Sequence, residues 1–102
     1  MAEHVSFFKA KVLPGKLQAV VDHMNRWEQD QKPKAKGWIR SYLAASNSKP
    51  DELMGVVVWD TTENYFANGK RPDQDAWYRE LRADLAGDPD WFDATLVREW
   101  KA

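Results

Sequence analysis

Residues 53–59 read LMGVVVW, an apolar run interrupted only by Gly55. A strand sends successive side chains to opposite faces, so this run presents apolar surface on both. A sheet with one solvated face would alternate apolar and polar instead. The same two-sidedness recurs elsewhere. Phe7 and Phe8 are neighbours and must point opposite ways, as must Leu96 and Val97. Plain alternation would set Ile39 and Leu43 on one face and Trp38 and Tyr42 on the other. A chain of 102 residues makes a single domain spanning 1–102, with one modest core that buries a little over ~60% of its unfolded surface. No spare segment exists to fold over a second sheet face. The simplest cover is another copy of the chain, related by two-fold symmetry. A homodimer is predicted.

Around that run the chain divides into further elements. Residues 4–13, HVSFFKAKVL, have the Val and Phe of a strand. Pro14 and Gly15 punctuate, after which Leu17, Val20, Val21, Met24 and Trp27 recur at the spacing of one helical face. The polar stretch 28–37 contains Pro33 and should end that helix. WIRSYLAA, 38–45, reads as a second strand, 46–52 as a loop, and 53–59 as the third strand. Asp60 and Glu63 have the spacing of a capping box opening a helix at about Thr61. Gly69 and Pro72 interrupt it, and a second helical segment follows with Trp77, Leu81 and Leu85 in line and Gly87 at its end. Two short helices, or a mobile lid, would accommodate that break. WFDATLVREW, 91–100, reads as the last strand. The order is βαββαβ, a ferredoxin-like α+β arrangement: a four-stranded antiparallel sheet with the helices on one face.

Composition removes several function classes. Fifteen Lys and Arg against sixteen Asp and Glu leave a net charge of −1, with nothing to attract a phosphate backbone, so nucleic acid is not an expected partner. The chain has no Cys, which excludes disulfides, thiolate catalysis and thiolate zinc sites. His4 and His23, nineteen residues apart, form no metal-ligand pattern, and no Gly-rich phosphate loop is present. No cofactor and no metal are expected. No apolar stretch approaches 18 residues, so a cytoplasmic protein without membrane contact is expected. His4, near the chain start, is expected to be exposed. His23 flanks the apolar stripe of the first helix and is expected to be neutral and partly buried.

Six Trp, three Tyr and four Phe are a large aromatic complement for so short a chain, and each ring can bury roughly 150–250 Å². Trp59, Tyr65, Phe66, Trp77 and Tyr78 crowd one stretch together with Asn68 and Arg79. Apolar walls with a few polar groups are what a small-molecule pocket requires, and a plain core is the competing reading. Tyr65 and Asn68 lie three apart on one helical face and can address the same ligand oxygen. Arg79 can stabilise an enolate or phenolate, or else pair with Asp75 at the surface.

The strand order, the early Pro14-Gly15 turn and the segment from Trp59 to Pro72, WDTTENYFANGKRP, resemble the antibiotic-biosynthesis monooxygenase-like family. The resemblance implies a dimeric α+β barrel with a pocket between sheet and helices in each subunit. Some members of that family oxidise polycyclic phenols or quinols with O₂ and no cofactor; others degrade heme. Trp59 matches the family's strand-end Trp, and Tyr65 an aromatic on the following helix. Heme-degrading members use an Asn on the first strand and a His on that helix. Here Phe8 and Asn68 stand at those places, so heme binding in that manner is not expected.

The resulting expectation is a cofactor-independent monooxygenase-like enzyme acting on a small aromatic or quinone-like compound. Tyr65, Asn68 and Arg79 are its candidate catalytic residues, with Phe8, Trp59 and Trp77 as ligand-binding walls. A non-catalytic small-molecule-binding or structural homodimer on the same fold is the alternative.

Overall fold

The computed structural model describes residues 2–102. In chain order the elements are β1 (His4–Lys11), α1 (Leu17–Asp30), a 3₁₀ turn over Lys32–Lys34, β2 (Trp38–Ala45), β3 (Glu52–Trp59), α2 (Thr62–Gly69), α3 (Pro72–Arg82) and β4 (Asp90–Thr95). The strands form one antiparallel sheet in the order β2-β3-β1-β4. Both crossovers are helical and lie on one face of the sheet.

The core is where that face meets the helices. Ala10 and Val12 from the first strand region, Leu53 of β3, Val20 of α1, and Leu81 and Leu85 around α3 form a buried cluster. Phe8, Leu17, Met24, Trp77 and Tyr78 pack against it. The helical spacing of Leu17, Val20 and Met24 therefore does what an amphipathic stripe should. Gly15, at φ 76°, makes the turn into α1, a conformation that costs a residue without Cβ little.

Register explains Gly55. It lies opposite Phe8, and a Cβ there would collide with the Phe8 ring. The one gap in the apolar run of β3 is thus the space that a neighbouring aromatic occupies.

Several expected boundaries are corrected. The β1 ladder ends at Lys11, and Val12 continues only as a single bridge to Leu85. The last strand ends at Thr95 instead of running to Trp100. Thr95 pairs with His4, the first residue of β1, and after the Leu96 N–H to Glu3 carbonyl bond no strand residue remains for it to pair with. The helix after β3 is capped by Thr61, whose side chain accepts from the Asn64 N–H at 3.1 Å. Asp60 instead accepts from the Asn64 side chain at 2.9 Å. The interruption at Lys70 and Arg71 separates two short helices, with Pro72 opening the second, the position its ring favours.

A register irregularity between Trp38 and Arg40 changes the faces of β2. Trp38 lies opposite Trp59, and Ser41, Leu43 and Ala45 lie opposite Val57, Gly55 and Leu53. Trp38 and Leu43 thus share the helix side while Tyr42 takes the other. Strict alternation had separated Trp38 from Leu43, and one extra residue in the strand overturns that.

The outer face keeps its apolar character. Tyr42, Val56, Phe7 and Phe92 form one row across all four strands. Tyr42 is 63% and Phe92 66% exposed, and Phe7 and Phe92 meet with ring centroids 6.2 Å apart.

Candidate functional site

A cavity of about 690 Å³ lies between the helix side of the sheet and α1, α2 and α3. Phe8, Trp59, Tyr65, Asn68 and Trp77 all line it. Arg79 does not. Its guanidinium turns outward to the Asp75 carboxylate one helical turn away, and the side chain is 78% exposed. The surface pairing that the sequence also allowed is the one formed.

Trp59 closes β3 against α2 and meets Tyr65 edge to face, 6.1 Å between centroids at 70°. Its indole nitrogen is the one fully buried side-chain polar atom without a hydrogen-bond partner among the described residues. Other tryptophans around the cavity are satisfied. Trp27 Nε1 donates to Gln74 Oε1 at 2.9 Å, Trp38 Nε1 to Ser41 Oγ at 2.9 Å, and Trp77 Nε1 to the His23 carbonyl at 3.3 Å. A buried donor left unpaired costs about 1–3 kcal/mol, and the Trp59 N–H carries that cost in the chain as folded.

Asn68 is buried near the end of α2. Its Oδ1 accepts from Arg71 Nε at 3.0 Å and Nη2 at 2.9 Å. Arg71 also donates to Gln31 Oε1 at 3.0 Å and to Asp73 Oδ1 at 2.9 Å. A guanidinium only donates, which fixes the amide orientation: the carbonyl faces Arg71 and the NH₂ faces away. That NH₂ makes no hydrogen bond among the described residues. Arg71, which sequence reading passed over as part of a helix break, therefore orients the polar group of α2.

The first strand holds a second surprise. His4, expected to be exposed, is only 2% exposed. It shares the helix side with Ser6, Phe8 and Ala10 by strand alternation, a periodicity already present in the sequence. Its Nδ1 is 3.1 Å from Thr62 Oγ1 and its Nε2 is 2.7 Å from Ser6 Oγ. Ser6, fully buried, donates to Asp93 Oδ1 at 2.6 Å. Tyr65 stacks on the imidazole at 4.2 Å and 21°. Burial holds the His4 pKa below the ordinary histidine value, against an opposing pull from the Asp93 charge. Burial raises the Tyr65 phenol above its usual range; a Ser6 hydrogen bond opposes this and the Asp93 charge adds to it.

His23, expected to be partly buried, is fully buried. Its Nε2 donates to the Trp77 carbonyl at 2.9 Å, and Nδ1 accepts from Arg26 at 2.9 Å. Both nitrogens are engaged in structure. No cluster of three His, Cys, Asp or Glu residues capable of holding a metal occurs among the described residues. No helix among them is long and apolar enough to cross a membrane.

Several solved structures similar in fold to this chain are described as antibiotic biosynthesis monooxygenases. A proposed antibiotic biosynthesis monooxygenase from Caulobacter crescentus superposes with a TM-score of 0.83 at 14% identity, over 95% of this chain and 92% of that one. Another from Chloroflexus aurantiacus gives 0.79 at 17% identity, over 97% of both chains. A point mutant of SnoaB, a cofactor-independent oxygenase from Streptomyces nogalater, gives 0.76 at 15% identity over 95% of both. No family model and no curated protein sequence matches.

Proposed function

We propose that the protein is a cofactor-independent monooxygenase-like enzyme acting on a small aromatic or quinone-like compound. The observation that carries this reading is the buried, unpartnered N–H of Trp59 in a wall of aromatic rings. A flat apolar ligand with one oxygen would bury its rings there and satisfy that donor. Asn68 lines the same cavity, and its NH₂ would serve there as a second donor. Two such donors stabilise an oxyanion more than its neutral parent, which makes a phenol or enol easier to ionise. The ionised substrate would then supply the electrons that O₂ requires. Likeness in fold to SnoaB, described as cofactor-independent, supports this chemistry.

The working unit in this proposal is a homodimer, a dimeric α+β barrel closed by the outer sheet faces of two copies. The outer row Tyr42, Val56, Phe7 and Phe92, of which Tyr42, Phe7 and Phe92 are exposed, supports it, and the interface should bury well over ~1,000 Å².

The outward turn of Arg79 favours a second reading, a binding homodimer without catalysis, because it removes one candidate for anion stabilisation. Oxygen uptake against a panel of polycyclic phenols and quinols separates the two. Uptake by the wild-type protein, together with about tenfold or greater loss in Trp59→Phe, is expected if one charge-bearing hydrogen bond is removed. Tight binding of the panel without oxygen uptake would establish the binding reading instead.

A further inference from the structure

We propose that the interior of the cavity donates hydrogen bonds and does not accept them, with Arg71 setting that polarity through Asn68. Its ligands are then aromatic ketones, quinones or phenolates, whose oxygens only accept, and aromatic donors are rejected. The inference rests on the reading of the cavity as a site for small aromatic compounds, and adds to it the polarity of the ligand.

The polar side chains among the rings decide this one by one. Trp59 Nε1 is buried without a partner, and an indole nitrogen can only donate. Asn68 could present either end of its amide. Arg71 removes the choice, because Nε at 3.0 Å and Nη2 at 2.9 Å take up both lone pairs of Oδ1. Gln74, also in the lining, is fixed in the same sense. Its Oε1 accepts from Trp27 Nε1 at 2.9 Å, and its NH₂ is left without a partner among the described residues. Burial raises the phenols of Tyr65 and Tyr78 above their usual range, so both keep their protons at neutral pH. The acceptors of the lining, Gln18, Asn25, Glu28 and Ser41, all stand at exposed positions.

Arg71 is itself held fast. Its Nη2 also donates to Gln31 Oε1 at 3.0 Å and its Nη1 to Asp73 Oδ1 at 2.9 Å, and the side chain is mostly buried. One planar guanidinium thus joins the end of α1, α2 and the start of α3. Turning the Asn68 amide would set its NH₂ against that guanidinium, donor against donor, and free the carbonyl for the cavity. Arg71 does not line the cavity. It acts on a ligand only through Asn68, as a positioning residue. A ligand that only accepts can pair with Trp59 or Asn68, whereas one that only donates leaves its own group and theirs unpaired.

The test uses three flat tricyclic compounds of nearly equal size, so that polarity is read apart from fit. Fluorenone carries an acceptor, fluorene neither group, and carbazole only an N–H donor. Equilibrium dialysis gives each dissociation constant. The wild-type protein should bind fluorenone about ten- to a hundredfold more tightly than carbazole, with fluorene between them. The ratio is taken within one protein, so a partial loss of folding cancels. Asn68→Asp puts an acceptor where the NH₂ stands and keeps an oxygen for Arg71, and should lower the ratio by about tenfold. Arg71→Met frees the amide to turn and should lower it likewise, while Arg71→Lys, which keeps a donor, should restore most of it. If Arg71→Met fails to fold, Asn68→Asp carries the test. Equal binding of fluorenone and carbazole by the wild type, or an unchanged ratio in either variant, overturns the inference and leaves the cavity a binding site. Binding of none of the three ends the small-molecule reading together with the inference. A preference for fluorenone in a protein that never consumes oxygen upholds the inference and ends the oxygenase reading alone.

Discussion

The two faces of the sheet invert the usual arrangement. On the helix side of β1, His4 and Ser6 are buried although both are polar. On the other side Phe7 is exposed although it is apolar, and so are Tyr42, Met54 and Phe92 in the neighbouring strands. Folding stability alone would select neither, since a buried polar group gains little and an exposed ring gains nothing. The two departures are different in kind. The buried polar groups are hydrogen-bonded in a chain that ends on Asp93, as costly interior groups have to be. The exposed rings have no cover within one copy of the chain, and a continuous apolar row of that sort belongs at an interface.

The comparison can be broken most directly at the outer face. The double substitution Phe7→Glu and Phe92→Glu should raise the dimer dissociation constant about a thousandfold, ~4 kcal/mol, because it buries charge in an apolar contact. Sedimentation of both proteins over a concentration series reads this. A wild-type protein that is monomeric at micromolar concentration would leave the outer face without its partner. Next in size is the helix side, where Leu81→Ala should cost about 2–5 kcal/mol in chemical denaturation. Met54→Ala on the outer face should cost under about 0.5 kcal/mol in the monomeric double variant.

Ser6→Ala strands the His4 N–H and removes the bond to Asp93, for an expected loss of about 1–3 kcal/mol. A loss no greater than that of an exposed serine would show the buried chain to be energetically idle. The smallest effect is pH dependence. The folded pKa of His4 lies below the unfolded value of 6.5, so the unfolded chain takes up a proton more readily than the folded one. This contribution is present in full above the unfolded value. It is lost as pH falls below it, with a slope of at most about 1.4 kcal/mol per pH unit until the folded pKa is reached. Denaturation of wild type and His4→Gln at about pH 7.5 and about pH 5.5 should show a steeper decline in the wild type.

Much of the fold was legible because hydrophobic period fixes element type. The stripe Leu17, Val20, Met24 and the run 53–59 could be little else than a helix and a strand, each buried on one side. The aromatic grouping was legible for a similar reason: Trp59, Tyr65, Asn68 and Trp77 fall on elements whose order brings them together. What failed depended on single-residue events. One irregular residue in β2 reversed the face of Trp38, which no periodicity announces. His4 was misjudged by its nearness to the terminus, although its even-numbered alternation with Ser6, Phe8 and Ala10 placed it inward. The Asp93 carboxylate joins His4 across most of the chain length, and only register, not sequence spacing, sets that meeting. Arg71 was hidden by its surroundings, since a charged residue between Gly69 and Pro72 looks like ordinary loop.

The irregularity in β2 has a consequence for what copies of this chain do in a crowded solution. A sheet carrying so much exposed apolar surface would be an aggregation hazard if its borders could also recruit strands without limit. One border, β2, is bent by its extra residue, and the other, β4, is only six residues long and begins just after Pro89. Neither offers a long, flat template for open-ended pairing. In the proposed dimer the apolar face would be satisfied by a single encounter, leaving nothing adhesive to propagate.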